Sequence, residues 1–339
     1  MTNPKSELMF IAELSANHLG SLDRARELVV QAAKAGATAV KFQTYTADTM
    51  TLNLPKFSVG SEHELWGGRR LYSLYQEAHT PWSWHKELFA LCLDHGVIPF
   101  SSPFDTTAVD FLEDLNVSMY KIASLETGDL PLIKKVARTN KPIIMSTGAT
   151  ELEEIRDAVN AIKLESNSDV TLLVCTSSYP AEAKDAHLAR IETLRSEFGV
   201  DVGISDHTLG IGVSIAAVTL GAKLVEKHFT LKRSDGGADA AFSMEPDEFS
   251  QLVSECKKAS LAVGNAEWKM QPAEAESRRL RRSLFVVRRV EKGEAVTESN
   301  VRAIRPSGGL APKFYDEIVG KTFKVACEPG TPLSFDLIT

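Results

Sequence analysis

DVGISDHTLGIGVSIAAVTLGAKLVEKHF, residues 201–229, reads as a short apolar run, a turn, a longer helical stretch and a second short apolar run. DVGIS and LVEKHF have the length of strands, and the stretch that begins near Gly212 has the length of a helix. Strand, helix and strand in that order make a parallel pair joined by a crossover. Both strands end in polar residues: Ser205, Asp206 and His207 on the first, Glu226, Lys227 and His228 on the second.

Outward from this unit, the same alternation runs from Met9 to about Leu261. The remaining strand candidates are MFIAEL, AVKFQ, IPFSS, MYKIAS, PIIMS and TLLVCT, and their helices begin near Leu22, Trp82, Thr106, Leu130, Glu151 and Leu188, with a last helix from Pro246. Eight strands with eight helices predict an α/β fold closed as a (β/α)8 TIM barrel. An open doubly wound sheet is the rival, but no GxGxxG follows the first strand. The partition expected is a barrel over 1–265, a linker over 266–282 that contains SRRLRR, and a compact, β-rich module over 283–339 punctuated by KGE, SGG and EPG turns. The long segment from Tyr45 to Thr80 would sit at the barrel's C-terminal mouth and is expected to act as a partial lid.

Composition narrows the class. In 339 residues, 43% are apolar and 24% charged, and no apolar run is long enough to span a bilayer. The start, MTNPKSELMF, has no export-type pattern, so a cytoplasmic protein is expected. Four cysteines, Cys92, Cys175, Cys256 and Cys327, show no CxxC spacing and are expected to be reduced. A net charge of -7 argues against nucleic acid as the main partner. It leaves room for a local cationic pocket that holds a small anion.

In a barrel the active site forms at the C-terminal strand ends. Those ends carry Glu13, Lys41 with Gln43, Ser101 with Ser102, Lys121 with Ser124 and Glu126, Ser146 with Thr147, Thr176 with Tyr179, and the two clusters already quoted. Strand ends meet water in any barrel, so a single serine there carries little weight. Lys41 and Lys121 carry more, because each lies within an apolar strand and must be matched by a bound anion or by a carboxylate such as Glu13. His207 and His228 end consecutive strands and are close enough either to share a divalent cation or to be hydrogen-bonded barrel histidines. His85 and His95 fall on one helix and are given no chemistry, while His18 lies in the first loop. RSDGGADAAFSMEP, after the eighth strand, holds Asp235, Asp239 and Glu245 on a glycine-softened loop.

Taken together, AELSANHLG, AVKFQTYTAD, FSSPFD, YKIAS, PIIMSTGA, CTSSYPA, GISDHTLG, GAKLVEKHFTL and RRSLFVVRRVEKGE with IRPSGGL resemble the sialic acid synthase family along nearly the whole chain. The tail is similar to that family's antifreeze-like (SAF) domain. The resemblance implies a phosphoenolpyruvate-dependent, carbon-carbon bond-forming transferase that acts on an amino-sugar acceptor. It implies phosphoenolpyruvate contacts at Lys41, Ser102, Lys121, Ser124, Ser146, Tyr179 and Ser205, with Gln43 in the substrate pocket. It further implies a divalent metal ion (Mn2+, Mg2+ or Co2+) on His207 and His228, sugar binding at Asp239, and proton-transfer work at Glu13 and Glu126. A domain-swapped homodimer is implied too, with Arg305 of one subunit reaching the acceptor in the other. GGADAAFSMEP and EAHTPWSWHKELF resemble the branch that makes pseudaminic acid, whose acceptor is 2,4-diacetamido-2,4,6-trideoxy-L-altrose. Leu125 and Ser177 depart from the neuraminate branch, although neuraminate and legionaminate synthesis share the same pocket chemistry. An aldolase for sugar phosphates would need a further cationic cluster, which is not apparent, and a non-catalytic sugar-binding protein would not need every strand end to be polar.

Overall fold

The computed structural model describes residues 8–61 and 66–339. The residues before Leu8, and with them the reading of the start of the chain, lie outside this range, as do Glu62, His63, Glu64 and Leu65 of the expected lid. One compact unit ends at Gly264 and a second runs from Asn265 to Thr339.

The first unit is a closed barrel of eight parallel strands in sequence order. These are β1 (Met9–Glu13), β2 (Ala39–Thr44), β3 (Ile98–Pro103), β4 (Tyr120–Ile122), β5 (Ile143–Ser146), β6 (Val170–Cys175), β7 (Asp201–Ser205) and β8 (Leu224–His228). The helices between them bury one face each. Leu22–Lys34, for example, turns Ala25, Leu28, Val29 and Ala32 inward and is capped by the Ser21 hydroxyl, which accepts from the Arg24 amide.

Alternation along the strands sorts the side chains into two environments. Outward-facing residues such as Phe10, Val40, Phe42, Tyr120, Ile122, Val202 and Val225 join the core beneath the helices. Inward-facing Ile11, Ala39, Phe100, Met119, Ile144, Leu173 and Leu224 form an apolar floor inside the barrel. Two residues further along, the same face turns polar at Glu13, Lys41, Ser102, Lys121, Ser146 and Glu226, with Ser205 after Gly203 on β7, while β6 ends on Cys175. The lumen is therefore a dry plug below and a polar basin above, and only its upper layer is free for chemistry.

The segment 45–80 is more ordered than a plain loop. It contains helices Ala47–Met50 and Leu71–Ala78 and an antiparallel bridge between Ser58 and Arg70. Polar composition hid the second helix, whose buried contact rests on Leu74. No helix among the described residues is long and apolar enough to cross a membrane.

The second unit has its own core of Leu284, Val286, Val290, Val296, Val301, Ile318, Phe323, Cys327, Leu333 and Ile338. Strands β9 (Ser283–Val286) and β10 (Val301–Ile304) pair antiparallel, and bridges such as Val290 to Cys327 and Phe323 to Ile338 close the rest. The stretch 266–282, expected as a linker, carries a helix at Ala275–Arg279 and falls within this unit.

Gly203 of β7 shows how tightly the floor is built. A Cβ there would lie 2.5 Å from the Leu224 carbonyl oxygen and 2.8 Å from Leu173 Cδ2. Gly203→Ala is expected to destabilise the protein by about 1–3 kcal/mol through overpacking. Urea unfolding measures this, and an unchanged midpoint would contradict the close packing.

Candidate active site at the barrel mouth

Four buried charges occupy the polar layer. Lys41 Nζ lies 2.6 Å from Glu13 Oε2 and 3.7 Å from Glu226 Oε1, and Lys121 Nζ lies 3.3 Å from the same Glu226 oxygen. None of the four side chains is more than 5% exposed. The carboxylate partner foreseen for the lysines is present in Glu13, and Glu226 joins both lysines. Burial pushes Glu13 above the usual carboxylate range despite Lys41. Burial acts on Glu226 in the same direction, but Lys121 and Lys41 outweigh it and hold that carboxylate low. Glu226 is thus the anion that keeps two lysines in a dry lumen.

Hydroxyls and an amide surround this cluster. Lys41 Nζ donates to Ser102 Oγ at 3.4 Å, and Ser205 Oγ donates to Glu226 Oε1 at 3.1 Å. Gln43 Nε2 donates to Glu13 Oε1 at 2.9 Å and to Ser15 Oγ at 3.0 Å. Ser124 Oγ accepts from the Gly148 amide at 3.1 Å. Ser146 Oγ, Glu126 Oε2 and Glu226 Oε2 are buried with no hydrogen-bond partner among the described residues. Unmet polar atoms are uncommon in a folded interior, and several at one mouth indicate a place where a polar ligand binds.

His207 and His228 stand on the same rim, with ring centroids 5.3 Å apart. His207 Nδ1 donates to the Thr176 carbonyl at 3.0 Å, which fixes the tautomer and leaves Nε2 with its lone pair in the neutral ring. His228 Nδ1 is buried without a partner among the described residues, and burial, with His207 and nearby lysines, drives its pKa well down. Two imidazoles with available lone pairs suit a divalent cation. Among the described residues no three or more His, Cys, Asp or Glu side chains gather as a complete ligand set, so water or substrate would have to supply the other positions.

Aromatic rings wall this corner. Tyr179 lies 4.4 Å from His207 and 5.1 Å from Phe242 between centroids, and Phe242 lies 4.9 Å from His228. From the 45–80 segment, Trp66 Nε1 donates to the Ala238 carbonyl at 3.0 Å, and its ring lies 6.0 Å from Tyr179. That segment therefore reaches the rim, as expected of a lid. Asp239 is buried against the Ser15 hydroxyl and the Ala16 amide, and burial raises its pKa.

Glu126 ends the short helical turn Ser124–Glu126, half-buried, and burial raises it to about 7 even though Lys121 pulls the other way. Arg305 lies in the second unit, in a groove of about 730 Å³ with Arg281, Arg282 and Lys313. Of the other residues singled out, Asp235 pairs with Arg24 at 2.7 Å, Glu245 caps helix Pro246–Val263, His18 packs edge-on against Trp84, and His85 hydrogen-bonds Thr44. The sequence reading named Glu226 among the strand-end residues but gave it no role, and it passed over Ser15. Glu226 is two positions before His228, so parity alone puts it in the lumen, whereas Ser15, tied to both Asp239 and Gln43, carried no signal.

The sequence matches the NeuB family over residues 28–268 and the SAF domain over 281–339. It is 47% identical to a pseudaminic acid synthase of Helicobacter pylori, covering 96% of both chains. It is 36% identical to an N,N'-diacetyllegionaminic acid synthase of Campylobacter jejuni, over 92% of this chain and 95% of the other. Among solved structures, the N-acetylneuraminic acid synthetase of Leptospira borgpetersenii, crystallised with citrate, superposes with a TM-score of 0.73 at 30% identity, over 80% of this chain and 90% of the other.

Glu126 yields a pH signature. Its pKa rises from 4.5 to about 7 on folding, so the folded protein holds a proton that the unfolded chain releases. The stability this contributes is complete below pH 4.5 and is lost as pH rises through about 7. Urea midpoints of the wild type should therefore fall across that window relative to Glu126→Gln. Parallel pH profiles for the two proteins would contradict a buried, proton-holding Glu126.

Proposed function

The chain belongs to the NeuB family, and on that premise we propose that it condenses phosphoenolpyruvate with 2,4-diacetamido-2,4,6-trideoxy-L-altrose to give pseudaminic acid and inorganic phosphate. The observation that carries this reading is a barrel mouth with two buried lysines and two facing imidazoles, in a chain closely similar to a pseudaminic acid synthase along its length. Similarity to that relative exceeds similarity to the legionaminic acid synthase, which supports the trideoxy-altrose acceptor over its isomers.

Phosphoenolpyruvate brings a phosphate and a carboxylate. Lys41 and Lys121 are the cations for them, with Ser102, Ser124, Ser146 and Ser205 offering hydroxyl donors. Burial makes Glu13 easier to protonate than an ordinary carboxylate, which eases the entry of an anion beside it. Tyr179 is a further contact for phosphoenolpyruvate, Gln43 belongs to the substrate pocket, and Asp239 serves the acceptor sugar. His207 and His228 would hold a divalent cation, with Mn2+, Mg2+ and Co2+ all compatible with imidazole and oxygen donors; bound there, it would polarise the acceptor's aldehyde oxygen.

C3 of phosphoenolpyruvate attacks the aldehyde carbon and the new carbon-carbon bond forms. Water adds at C2, and the C2–O bond to phosphate breaks, leaving a 2-keto acid. Glu126, poised at about 7, and Glu13, raised by burial, are the two carboxyls suited to take the proton from that water and return one to the alkoxide. Arg305 would complete the acceptor site of a partner subunit in a domain-swapped homodimer. Four free, buried cysteines are compatible with work in the reducing cytoplasm.

The direct test offers the protein phosphoenolpyruvate, Mn2+ and a panel containing the trideoxy-altrose, the legionaminic acid precursor and N-acetylmannosamine, and identifies products by mass spectrometry. With each sugar offered separately, phosphate release and a nonulosonic acid product are expected only from the first, since its product and that of the legionaminic acid precursor share one mass. Preference for N-acetylmannosamine would overturn the acceptor, and no product from any sugar would overturn the enzyme reading. Arg305→Ala should raise the acceptor's KM more than that of phosphoenolpyruvate; equal changes would contradict its assignment to the acceptor.

A further inference from the structure

Asp206 and Lys227 form an ion pair that the proposed chemistry does not use. Both side chains are 1% exposed, and Lys227 Nζ lies 3.1 Å from Asp206 Oδ2. Alternation puts them on the helix-facing side of the strands, directly behind Ser205, His207, Glu226 and His228. Every polar atom is engaged. Asp206 Oδ1 accepts from the Thr208 amide at 2.9 Å and hydroxyl at 2.7 Å, and Oδ2 accepts from Ser214 Oγ at 2.6 Å. Lys227 Nζ donates to the carbonyls of Thr208 at 2.7 Å and Gly210 at 3.2 Å.

A buried ion pair adds little net stability over an apolar pair of the same size, so its value must be sought in geometry. The β7–β8 ladder supplies the reason. It matches Cα positions only at Ile204 with Val225 and Ser205 with Glu226, whereas β6–β7 and β1–β8 each match five. Above Ser205 the strands are joined by the Asp206 amide donating to the Glu226 carbonyl at 2.9 Å. His207 therefore stands beyond the ladder's end, while His228 is still within β8. The ion pair continues the same register by one step through side chains and keeps the His207 ring opposite that of His228. His207's own carbonyl accepts from the Ala181 amide at 3.1 Å, which ties the loop bearing Tyr179 to the same segment.

We propose that the Asp206–Lys227 pair is a positioning device that sets the separation of His207 and His228 and, through it, the affinity of the divalent-cation site; the claim rests on the metal reading given above. The pair touches neither substrate nor cation. It acts through the backbone of the residues beside it.

The test is calorimetric titration of Mn2+ into the wild type, Asp206→Asn, Lys227→Met and the double variant, with circular dichroism and a thermal midpoint for each. A single substitution strands one buried charge and lowers the midpoint; the double variant removes both charges and regains part of that loss. Mn2+ affinity is expected to fall about 10–100-fold in all three, as for other groups that orient metal ligands, and to stay low in the double variant although its midpoint recovers. Affinity that recovers together with the midpoint, or wild-type affinity in a folded single variant, overturns the proposal. If the single variants do not fold, Ser214→Ala, which removes one bond to Oδ2 and keeps both charges, is expected to weaken Mn2+ severalfold, and unchanged affinity there overturns it as well. A wild type that binds no Mn2+ sinks the metal reading and this inference together; a wild type that binds it, with variants unmoved, sinks this inference alone.

Discussion

Two lysines and two glutamates share the upper lumen of a barrel that is closed to water below, and the account of this protein hangs on that cluster. A lysine ammonium inside a barrel is unfavourable unless an anion is near. Glu226 is that anion for both Lys41 and Lys121, and Glu13 adds a second contact to Lys41. The arrangement is neutral enough to fold, yet it keeps two cationic nitrogens in the polar layer of the lumen. An entering enol phosphate competes with carboxylates already in place, and the raised pKa of Glu13 eases that competition.

The barrel positions this cluster by parity alone. Most strands that contribute a floor residue contribute a polar residue two places later, β6 with Leu173 and Cys175 being the exception, so the change from Ile11 to Glu13, Ala39 to Lys41 or Leu224 to Glu226 marks one level around the lumen. Above that level stand the imidazoles, and above them the ring wall of Tyr179, Phe242 and Trp66. Burial and neighbouring charge together set how each group titrates. Half-buried Glu126 is raised to about 7, while the pKa of buried His228 is driven well down. A site graded in this way can hold anions deep inside and exchange protons near its edge.

Much of this was legible in the sequence because the barrel's signals are local. Strand and helix lengths, and the placement of polar residues after apolar runs, follow from periodicity that any one unit displays, so all eight strands fall where the apolar runs place them. Lys41, Lys121, His207 and His228 stand out as polar residues in apolar strands. What could not be read is pairing across the barrel. Lys121 meets Glu226 over a separation of 105 residues, and nothing in either strand names its partner. The segment 45–80 escaped for a different reason: its helices are short and mostly exposed, so they lack the apolar stripe that marks the longer ones. Asp206 and Lys227 looked like further mouth residues, and only the alternation of the folded strands turns them outward.

The central claim is that Lys41 and Lys121 seat the enol phosphate. Calorimetric titration of phosphoenolpyruvate into the wild type, Lys41→Met and Lys121→Met addresses it without need of the sugar. Loss of a charge-assisted contact should weaken binding by roughly tenfold or more in each variant. Wild-type affinity in both folded variants would contradict the account.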